Sequence, residues 1–495
     1  MSSTSTNSTA RPARRPLRFA IVGAGMSGIQ AAIKLHEAGY RDVTIYEKAD
    51  RLGGTWRENT YPGIACDVPS HLYTYSFEPN PSWSHRFSPG DEIQAYFEGV
   101  AHRYGIDACI RYGAEITRCE YRDGRWRLEG RDGRRDEADV VIAATGVLHH
   151  PNPPDIPGLD TFAGTAFHSA RWNHAVPLAD KRVGVIGTGS TAVQIVSAIV
   201  GSVARLSLFQ RTPQWIMPLD NPPYSQAEQR EFSEHPDVIG HMRAEMSKTF
   251  ADNFSNAVVN ADSPQMKLIE AVCLANLENN VKDPAMREKL RPNYRAACKR
   301  LIVSADFYQA IQQPNAQLVT EGIERIEPRG VRTHDGQLHE LDVLVLATGF
   351  RADRFMRPTE VVGRDGQRLD DVWRQRPVAY LSVSIPGFPN LFMLNGPNGP
   401  VGNFSLIEVA ELQTQYILQL VEPLRDGICR EVAPTAAATA QFDTDRVAAT
   451  RGTVWSTGCR SWYLDDRGIP ASWPWTMDRF RQVMAKPDWA AFERI

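Results

Sequence analysis

The first fifty residues alternate between apolar and polar stretches in an order typical of a strand, a turn, a helix and a second strand. Residues 17–22 form a mainly apolar run of strand length, and residues 29–38 carry apolar side chains at helical spacing. Residues 43–46 form a second strand, and glycines separate the first strand from the helix. This order predicts a β-α-β unit with parallel strands.

The same order of elements returns further along the chain. Residues Arg182–Ile186 and 206–209 are strand-like, and the apolar spacing predicts a helix between them at 192–200. Two more apolar strands, within 139–146 and 342–349, both end in Ala-Thr-Gly. We therefore predict an α/β fold with two dinucleotide-binding (Rossmann-like) domains.

The positions of these strands predict how the chain divides into domains. Residues 17–150 and 346–495 are expected to form a discontinuous first domain, whose second part ends in a C-terminal active-site loop. Residues 155–345 are expected to form the second domain, after a linker that is stiff because it is rich in proline. Polar sequence with helical spacing predicts a helical insertion at 218–300 within this second domain.

The first glycine turn is Gly23-x-Gly25-x-x-Gly28, placed between a strand and a helix. Glycines in this context allow a tight turn and let the backbone approach a pyrophosphate, while the helix N-terminus offers free N–H groups. Glu47 ends the second strand, where a carboxylate can bind ribose hydroxyls. The unit is therefore predicted to bind a dinucleotide.

The second glycine turn has the same context but different chemistry after its second strand. Where a carboxylate is expected for NADH, the sequence has Gln210, Arg211 and Thr212. A guanidinium binds a 2′-phosphate that a carboxylate would repel, so this unit is predicted to bind NADPH. Its predicted phosphate-binding residues are Gly187, Thr188, Gly189, Ser190 and Thr191.

Composition and charge exclude several classes of protein. The formal net charge of -3 gives no field that would attract nucleic acid, and no run of 18 apolar residues predicts a membrane span. The seven cysteines are scattered, without a C-x-x-C pair or the spacing of metal ligands. We expect a cytoplasmic protein without a metal, in which residues 1–16 are disordered.

Three longer motifs narrow the class further. Residues 53–67 read GGTWRENTYPGIACD, and residues 298–300 read Cys-Lys-Arg. Between them stands a fingerprint formed by Phe162, Gly164, His168 and Trp172. Over residues 16–485 the chain resembles the class B flavoprotein monooxygenases, and most closely their Baeyer–Villiger branch. Asn173 departs from that branch, which has Pro or Asp after the tryptophan.

The resemblance implies FAD in the first domain and NADPH in the second, and it assigns roles to individual residues. Arg300 would be the catalytic residue, paired with Asp67, while His168 would belong to a linker that moves between conformations. Lys299 would bind the 2′-phosphate together with Arg211 and Thr212, and Trp462 would approach the nicotinamide. The FAD contacts implied are Gly54, Thr55, Trp56, Asp67 and Tyr73, in addition to the first glycine turn and Glu47.

The chemistry implied is the oxidation of a ketone to an ester or lactone. NADPH would reduce FAD, reduced FAD would capture O2 as a C4a-peroxide, and Arg300 would keep that peroxide anionic. The partners implied are a small ketone and O2, and neither nucleic acid nor a membrane. The sequence leaves open which ketone is used and how many subunits assemble.

Three alternatives remain beside this interpretation. An N- or S-oxygenating flavin monooxygenase shares the fold, although Trp172 and Arg300 argue against it. A disulfide reductase would need a redox cysteine pair near the flavin, which the spacing does not supply. A flavin-binding protein without catalysis is disfavoured by Arg300 and by the two intact glycine turns.

Overall fold

The computed structural model describes residues 15–402 and 404–495. The segment predicted to be disordered, 1–16, therefore lies outside the described residues apart from Arg15 and Pro16. Arg15 is attached to the folded chain, because its backbone N–H donates to the carbonyl oxygen of Arg425 at 2.8 Å. No helix in the described part of the chain is long and apolar enough to cross a bilayer.

The first glycine turn belongs to a five-stranded sheet in which all neighbouring strands are parallel. Its central strand, Arg18–Val22, is followed by the helix Met26–Glu37, which begins directly after Gly25. The strands in spatial order are Leu391–Met393, Val140–Ala143, Arg18–Val22, Asp42–Tyr46 and Ile110–Arg111.

The second glycine turn belongs to another five-stranded parallel sheet with the same spatial plan. Its central strand, Arg182–Ile186, is followed by the helix Ser190–Ile199, which begins after Gly189. The strands in spatial order are Thr165–His168, Val343–Leu346, Arg182–Ile186, Arg205–Phe209 and Ala316–Val319. The predicted α/β fold with two Rossmann-like sheets is confirmed.

Each parallel sheet carries an antiparallel meander inserted before its returning strand. In the first unit the meander consists of Ile116–Arg122, Arg125–Gly130 and Arg135–Ala138, with Glu360–Val362 added at its edge. In the second unit it consists of Ile323–Glu327, Gly330–Thr333 and Leu338–Glu340. Two small sheets complete the strands, Ile216–Met217 with Ile302–Val303 and Val432–Pro434 with Phe492–Arg494.

Helices cover the faces of both parallel sheets and fill the predicted insertion. The helical insertion lies between the paired strands Ile216–Met217 and Ile302–Val303, so both of its ends are held together. The α-helices are Met26–Glu37, Thr55–Glu58, Gly90–Arg103, Ser190–Ile199, Gln226–Glu234, Pro236–Phe250, Asn256–Val258, Pro264–Asn280, Pro284–Leu290, Phe307–Ile311, Leu369–Val372, Leu406–Arg425, Ala436–Ala449 and Met477–Ala485.

The insertion also packs against the first unit. The guanidinium of Arg243 donates to the carbonyl oxygens of Leu72 and Thr74, and it pairs with Glu411 at 3.4 Å. These contacts supply hydrogen-bond donors to backbone carbonyl oxygens of the first unit. The insertion therefore contacts both units on the side of the molecule where the two glycine turns lie.

Candidate active site

One cavity of about 1170 Å³ lies between the carboxyl ends of the two parallel sheets. This is where α/β sheets bind ligands, because the strands end there and helices begin. Most of the site residues predicted from the sequence line this cavity. They are Gly23, Gly25, Glu47, Gly54, Thr55, Trp56, Asp67, Tyr73, Gly187, Thr188, Gly189, Ser190, Thr191, Arg211, Thr212, Lys299, Arg300 and Trp462.

Backbone conformation explains why the first turn needs glycine. Gly23 has a φ of +108°, and a Cβ there would lie 2.5 Å from the carbonyl oxygen of Ala144. Gly28 lies in the first turn of the following helix, outside the cavity lining, and a Cβ there would lie 2.0 Å from the carbonyl oxygen of Gly23. Its absence lets the helix pack closely on the strand.

Glu47 is held rigidly beside this turn. One of its carboxylate oxygens accepts from the backbone N–H of Ala24, and the other accepts from that of Ala49, both at 2.9 Å. The side chain is buried, so these two charge-assisted hydrogen bonds fix its direction at the cavity edge.

The motif at residues 53–67 forms the wall opposite the first turn. Gly54 has a φ of +56°, and a Cβ there would lie 3.1 Å from the Cα of Gly25, which is tighter than ordinary packing, so glycine suits this approach. Trp56 follows and donates its indole N–H to the hydroxyl of Tyr73 at 3.1 Å. Their rings meet edge to face at 5.7 Å. The two aromatic side chains thus support each other where they line the cavity.

The second turn brings hydroxyls and cations together. Gly187 has a φ of +117°, and Thr188 donates its hydroxyl to the carbonyl oxygen of Thr212 at 2.8 Å. Burial and the nearby charge of Arg211 lower the pKa of Lys299 below its usual value. Two cations that repel each other at the end of a cavity favour the binding of a dianion between them.

Tyr61 connects the two units across the cavity. It donates its hydroxyl to the side-chain oxygen of Gln194 at 2.8 Å, and Gln194 in turn donates to the carbonyl oxygen of Ala65 at 3.0 Å. Burial raises the pKa of Tyr61 to about 12, so it remains a neutral donor. The motif of the first unit is therefore bonded to the helix that follows the second glycine turn.

Arg300 occupies the centre of the site. Its Nε and Nη2 donate to one oxygen of Asp67 at 3.2 and 2.5 Å, and its Nη1 donates to the carbonyl oxygen of Gly402. Burial alone would lower the pKa of Arg300, but the charge of Asp67 and the bonds to Asp67 and Tyr463 raise it above the usual value. The guanidinium is therefore permanently charged and fixed in orientation.

The C-terminal loop closes this side of the cavity. Trp462 lines the cavity while 46% of it is exposed, whereas the neighbouring Tyr463 is buried against Arg300. Gly402 makes this packing possible, because a Cβ there would lie 2.0 Å from the hydroxyl oxygen of Tyr463. Sequence reasoning identified Trp462 but did not predict that Tyr463 contacts the arginine.

The four fingerprint residues Phe162, Gly164, His168 and Trp172 do not line the cavity. They lie in or next to the edge strand Thr165–His168. A Cβ on Gly164 would lie 2.4 Å from the carbonyl oxygen of Asp342. Trp172 packs edge to face on Phe167 at 5.1 Å. Burial lowers the pKa of His168, which keeps it neutral at pH 7.

Asn173, which departs from the fingerprint, is exposed, and its side chain forms a hydrogen bond within its own turn. Its side-chain oxygen accepts from the backbone N–H of Ala175 at 3.1 Å, which forms a tight turn after Trp172. Like the fingerprint itself, it is not part of the cavity lining. The departure therefore changes a turn and leaves the wall of the site unaltered.

Sequence reasoning missed a charged cluster beside Glu47. Arg57 donates to Glu58 at 3.1 Å, and Lys48 lies 3.7 Å from the same carboxylate and 3.3 Å from His149. Burial, followed by the charge of Lys48, lowers the pKa of His149 to about 3. The position of Lys48 directly after Glu47 was the available signal.

A disulfide bond between Cys298 and Cys459 was also missed. The two Cα atoms are 6.2 Å apart, but the residues are separated by 161 positions in sequence, so their spacing gave no indication of a pair. Cys298 directly precedes Lys299 and Arg300, and Cys459 lies in the C-terminal loop. The remaining five cysteines are free.

Comparisons with known proteins agree with this geometry. Residues 20–231 match the family model described as pyridine nucleotide-disulphide oxidoreductase. An "uncharacterized monooxygenase" of Mycobacterium tuberculosis is 50% identical over 468 residues, which cover 94% of each chain. A Baeyer-Villiger monooxygenase of Streptomyces coelicolor is 38% identical, over 96% of this chain and 92% of that protein.

Among solved structures, cyclohexanone monooxygenase from Rhodococcus sp. Phi1 bound to NADP+ matches with a TM-score of 0.86 and 30% identity. The match covers 97% of this chain and 99% of the other. The fold is that of a flavin monooxygenase with two Rossmann-like units. The chain belongs to the Baeyer–Villiger monooxygenase family.

Proposed function

We propose that this protein is an FAD- and NADPH-dependent monooxygenase that inserts one oxygen atom of O2 beside the carbonyl of a ketone, giving an ester or lactone. The observation that carries the proposal is the position of Arg300. Asp67, Gly402 and Tyr463 hold its charged guanidinium in place at the wall of the cavity. Both glycine turns line the same cavity.

The first unit fits FAD. A Cβ on Gly25 would face only the glycine backbone of Gly54, at 3.7 Å, so a pyrophosphate can approach both chains closely. The buried Nε of Arg57 and Nε2 of His149 have no hydrogen-bond partner among the described residues, and both side chains line the cavity. Unpaired donors at this position are suited to a pyrophosphate, while Glu47 is suited to the ribose hydroxyls.

The second unit fits NADPH. Ser190 and Thr191 begin the helix after the glycine turn, and both line the cavity. Arg211 and Lys299 supply two positive charges next to each other, and no carboxylate follows the second strand directly. This combination favours a 2′-phosphate over a free 2′-hydroxyl.

When bound, the flavin supplies the redox chemistry by accepting a hydride from NADPH and activating O2. The chain supplies the electrostatics. Oxygen insertion places negative charge on the substrate carbonyl oxygen, and a fixed guanidinium stabilises that charge more than a mobile or solvated one would. Asp67 keeps the guanidinium of Arg300 oriented. The buried Tyr463 excludes water from the other side of that guanidinium.

The domain assignment is part of the same proposal. Residues 17–150 and 346–495 would form the FAD domain, and residues 155–345 the NADPH domain with its insertion at 218–300. The pairing of Leu391–Met393 with Val140–Ala143 in one sheet supports this arrangement. A cytoplasmic location belongs to the proposal as well, because the reductant NADPH is supplied inside the cell.

The test compares Arg300→Ala with a matched control, Arg295→Ala. Arg295 lies on the same segment but pairs with Glu270 at 2.6 Å, away from the cavity. Arg300→Ala is expected to retain FAD and its reduction by NADPH, yet to form ester about a hundred to a thousand times more slowly. Arg295→Ala is expected to keep ester formation. Product is measured by mass spectrometry as the gain of one oxygen atom.

Substrate choice separates the proposal from its closest alternative. A panel of ketones and thioethers, incubated with enzyme, NADPH and air, is expected to give esters or lactones. If only thioethers were oxygenated, the protein would be a heteroatom-oxidising enzyme. If Arg300→Ala formed ester at the wild-type rate, Arg300 would have no part in oxygen insertion. NADPH consumption without any oxygenated product would favour a non-catalytic flavin protein.

A further inference from the structure

The disulfide between Cys298 and Cys459 joins the two segments that carry the centre of the site. Cys298 directly precedes Lys299 and Arg300, and Cys459 stands three positions before Trp462. Both cysteines are buried in one apolar cluster that also contains Tyr463. The bond therefore lies directly behind the cavity wall that Arg300 and Trp462 form.

The part of the loop that carries Cys459, residues 458–462, has few anchors, whereas the part after it is held by hydrogen bonds such as those from Ala471 to Tyr463 and from Trp473 to Gly399. Residues 457–476, all of which the structure describes, form neither a helix nor a strand. Within this loop, Tyr463 is held by its contact with Arg300 and by its packing over Gly402. The disulfide is a second anchor, on the other side of Trp462. Breaking it would leave the exposed Trp462 held on its N-terminal side only by the turn in which Thr457 bonds to Val454, and on its C-terminal side by Tyr463.

We propose that Cys298 and Cys459 are a reversible thiol–disulfide pair, and that peroxide closes it to fix the C-terminal loop over Arg300. The proposal rests on the proposed function in two respects: an oxygenase that activates O2 without transferring it releases hydrogen peroxide into the same cavity, and the proposed cytoplasmic location supplies the reducing setting that reopens the bond. A bond that forms at the site of peroxide release would slow further turnover.

The oxidation balances with hydrogen peroxide as the oxidant. The thiolate sulfur of Cys459 attacks one peroxide oxygen, the O–O bond breaks, and hydroxide takes up the thiol proton and leaves as water. The sulfur of Cys298 then attacks the resulting sulfenic acid, the S–S bond forms, the S–O bond breaks, and a second water leaves. Two thiols lose two electrons in total, and one peroxide becomes two waters.

The surroundings favour this chemistry at Cys459. The residue is 8% exposed, whereas Cys298 is fully buried, so Cys459 is the one that a small oxidant reaches first. Arg460 lines the cavity next to it, and Lys299 and Arg300 follow its partner. Cations beside a thiol stabilise the reactive thiolate. Cys66 and Cys109 also lie near an arginine, but both are free cysteines, as are the other three.

Reversibility follows from the setting. In a reducing compartment, disulfides are usually transient and redox-sensing. Closing the pair fixes the loop on both sides of Trp462, and release of product and oxidised cofactor requires such loops to open. The closed state is therefore the slow state, and reduction by a dithiol restores the fast one.

The test uses the FAD-loaded enzyme, either reduced with dithiothreitol or treated with one equivalent of hydrogen peroxide. Cys459→Ala is compared with Cys273→Ala, a free, buried cysteine of the same apolar cluster. Alkylation and peptide mapping report the linked pair, and trypsin reports loop motion at the exposed Arg460 and Arg467. NADPH turnover with a ketone is measured in parallel.

We expect peroxide to produce a Cys298–Cys459 peptide lighter by two hydrogens, to slow cleavage at Arg460 severalfold, and to lower turnover severalfold. Dithiothreitol reverses all three effects. Cys459→Ala stays in the fast state under both conditions, whereas Cys273→Ala behaves like the wild type. Peptide mapping and trypsin cleavage need no turnover, so they decide the proposal even if no ketone is oxidised.

Two results would overturn the proposal. In the first, peroxide leaves both thiols free, and the pair is then not a peroxide-responsive site. In the second, the linked peptide forms but trypsin cleavage and turnover are equal in both states. The disulfide would then be a structural bond without influence on the loop.

Discussion

In both parallel sheets the central strand begins with an arginine. In both, an aspartate stands directly before the strand that returns to the sheet after the meander. The backbone N–H of Arg18 donates to the carboxylate of Asp139 at 2.9 Å, and that of Arg182 donates to Asp342 at 2.8 Å. The opposite ends also correspond, because each central strand is followed directly by a glycine with positive φ. The two units therefore repeat one scaffold from end to end.

The units differ immediately after the second strand. Strand pairing aligns Tyr46 with Val22 and Phe209 with Ile186, so Glu47 corresponds to Gln210, and Lys48 corresponds to Arg211. Glu47 accepts backbone hydrogen bonds at the first turn, whereas the amide of Gln210 donates to the carbonyl oxygen of Lys289 at 2.7 Å. The exchange of a carboxylate for an amide removes the negative charge that would repel a 2′-phosphate.

The two glycine turns also differ in how tightly their backbones pack. Gly28 of the first unit corresponds to Ala192 of the second, and only the first would clash with a Cβ. The backbone N–H of Gly23 is 2.8 Å from the carbonyl oxygen of Tyr46, while the matching distance from Gly187 to Phe209 is 3.3 Å. Backbone geometry therefore sets where a nucleotide binds, and one or two side chains select which nucleotide it is.

The largest effects are expected when the glycine at the start of each turn is replaced by alanine, one turn at a time. A Cβ at Gly23 or Gly187 lies within 2.5 Å of a backbone oxygen at positive φ, which costs at least about 2 kcal/mol. Gly23→Ala should abolish FAD retention. Gly187→Ala should keep FAD but lose NADPH binding. Flavin absorbance and NADPH titration measure both, and loss of FAD from Gly187→Ala would reverse the assignment of the units.

The next effect concerns cofactor selectivity. Arg211→Ala should weaken NADPH binding about ten- to a hundredfold, since a hydrogen bond to a charged group contributes about 1.5–3 kcal/mol, and leave NADH unaffected. Arg205→Ala is the control, because Arg205 opens the same strand and contacts Gln317 at 2.6 Å, far from the turn. Rates of anaerobic flavin reduction report both cofactors. Unchanged selectivity in Arg211→Ala would remove this residue from the site.

A smaller effect is expected from pH. The pKa of Lys299 is lowered from 10.5 by burial and by Arg211, so Lys299 loses its charge at a lower pH than an exposed lysine does. NADPH affinity should be full below that pKa and fall as pH rises through it, while NADH affinity stays level. Lys299→Arg should remove the fall, because arginine stays protonated. Parallel curves for NADPH and NADH would contradict this role.

The smallest effect is expected from Glu47→Gln. The amide oxygen can still accept one of the two backbone hydrogen bonds, so the change removes charge more than geometry. FAD affinity should fall by about 1 kcal/mol, or roughly fivefold, and NADPH affinity should not change. Fluorescence titration of the apoprotein with FAD measures the difference. A larger loss of NADPH affinity than of FAD affinity would contradict the correspondence of Glu47 with the flavin unit.

The sequence predicted the two glycine turns well because their pattern is local. The strands at Arg18–Val22 and Arg182–Ile186 begin within one residue of the expected positions. The expected strand at 139–146 ends earlier, at Ala143, because Thr145 donates its side chain to the carbonyl oxygen of Phe355 and Gly146 has a positive φ. Such a tertiary contact leaves no local pattern.

The centre of the site was predictable only in part. Asp67 and Arg300 were paired on the basis of resemblance, and they lie in contact. The contacts of Arg300 with Gly402 and Tyr463 join residues more than a hundred positions apart, as does the bond between Cys298 and Cys459. Neither periodicity nor spacing encodes contacts at such separations, because they arise when the two units close around the cavity.

Oxygen transfer is tested most directly by isotope labelling. The enzyme is incubated with NADPH and a ketone panel under ¹⁸O₂, and the products are analysed by mass spectrometry. We expect an ester or lactone that carries one ¹⁸O atom in the newly formed C–O–C linkage, in an amount close to the NADPH consumed. Unchanged ketone with full NADPH consumption, or an ester that carries no ¹⁸O, would contradict oxygen insertion by this enzyme.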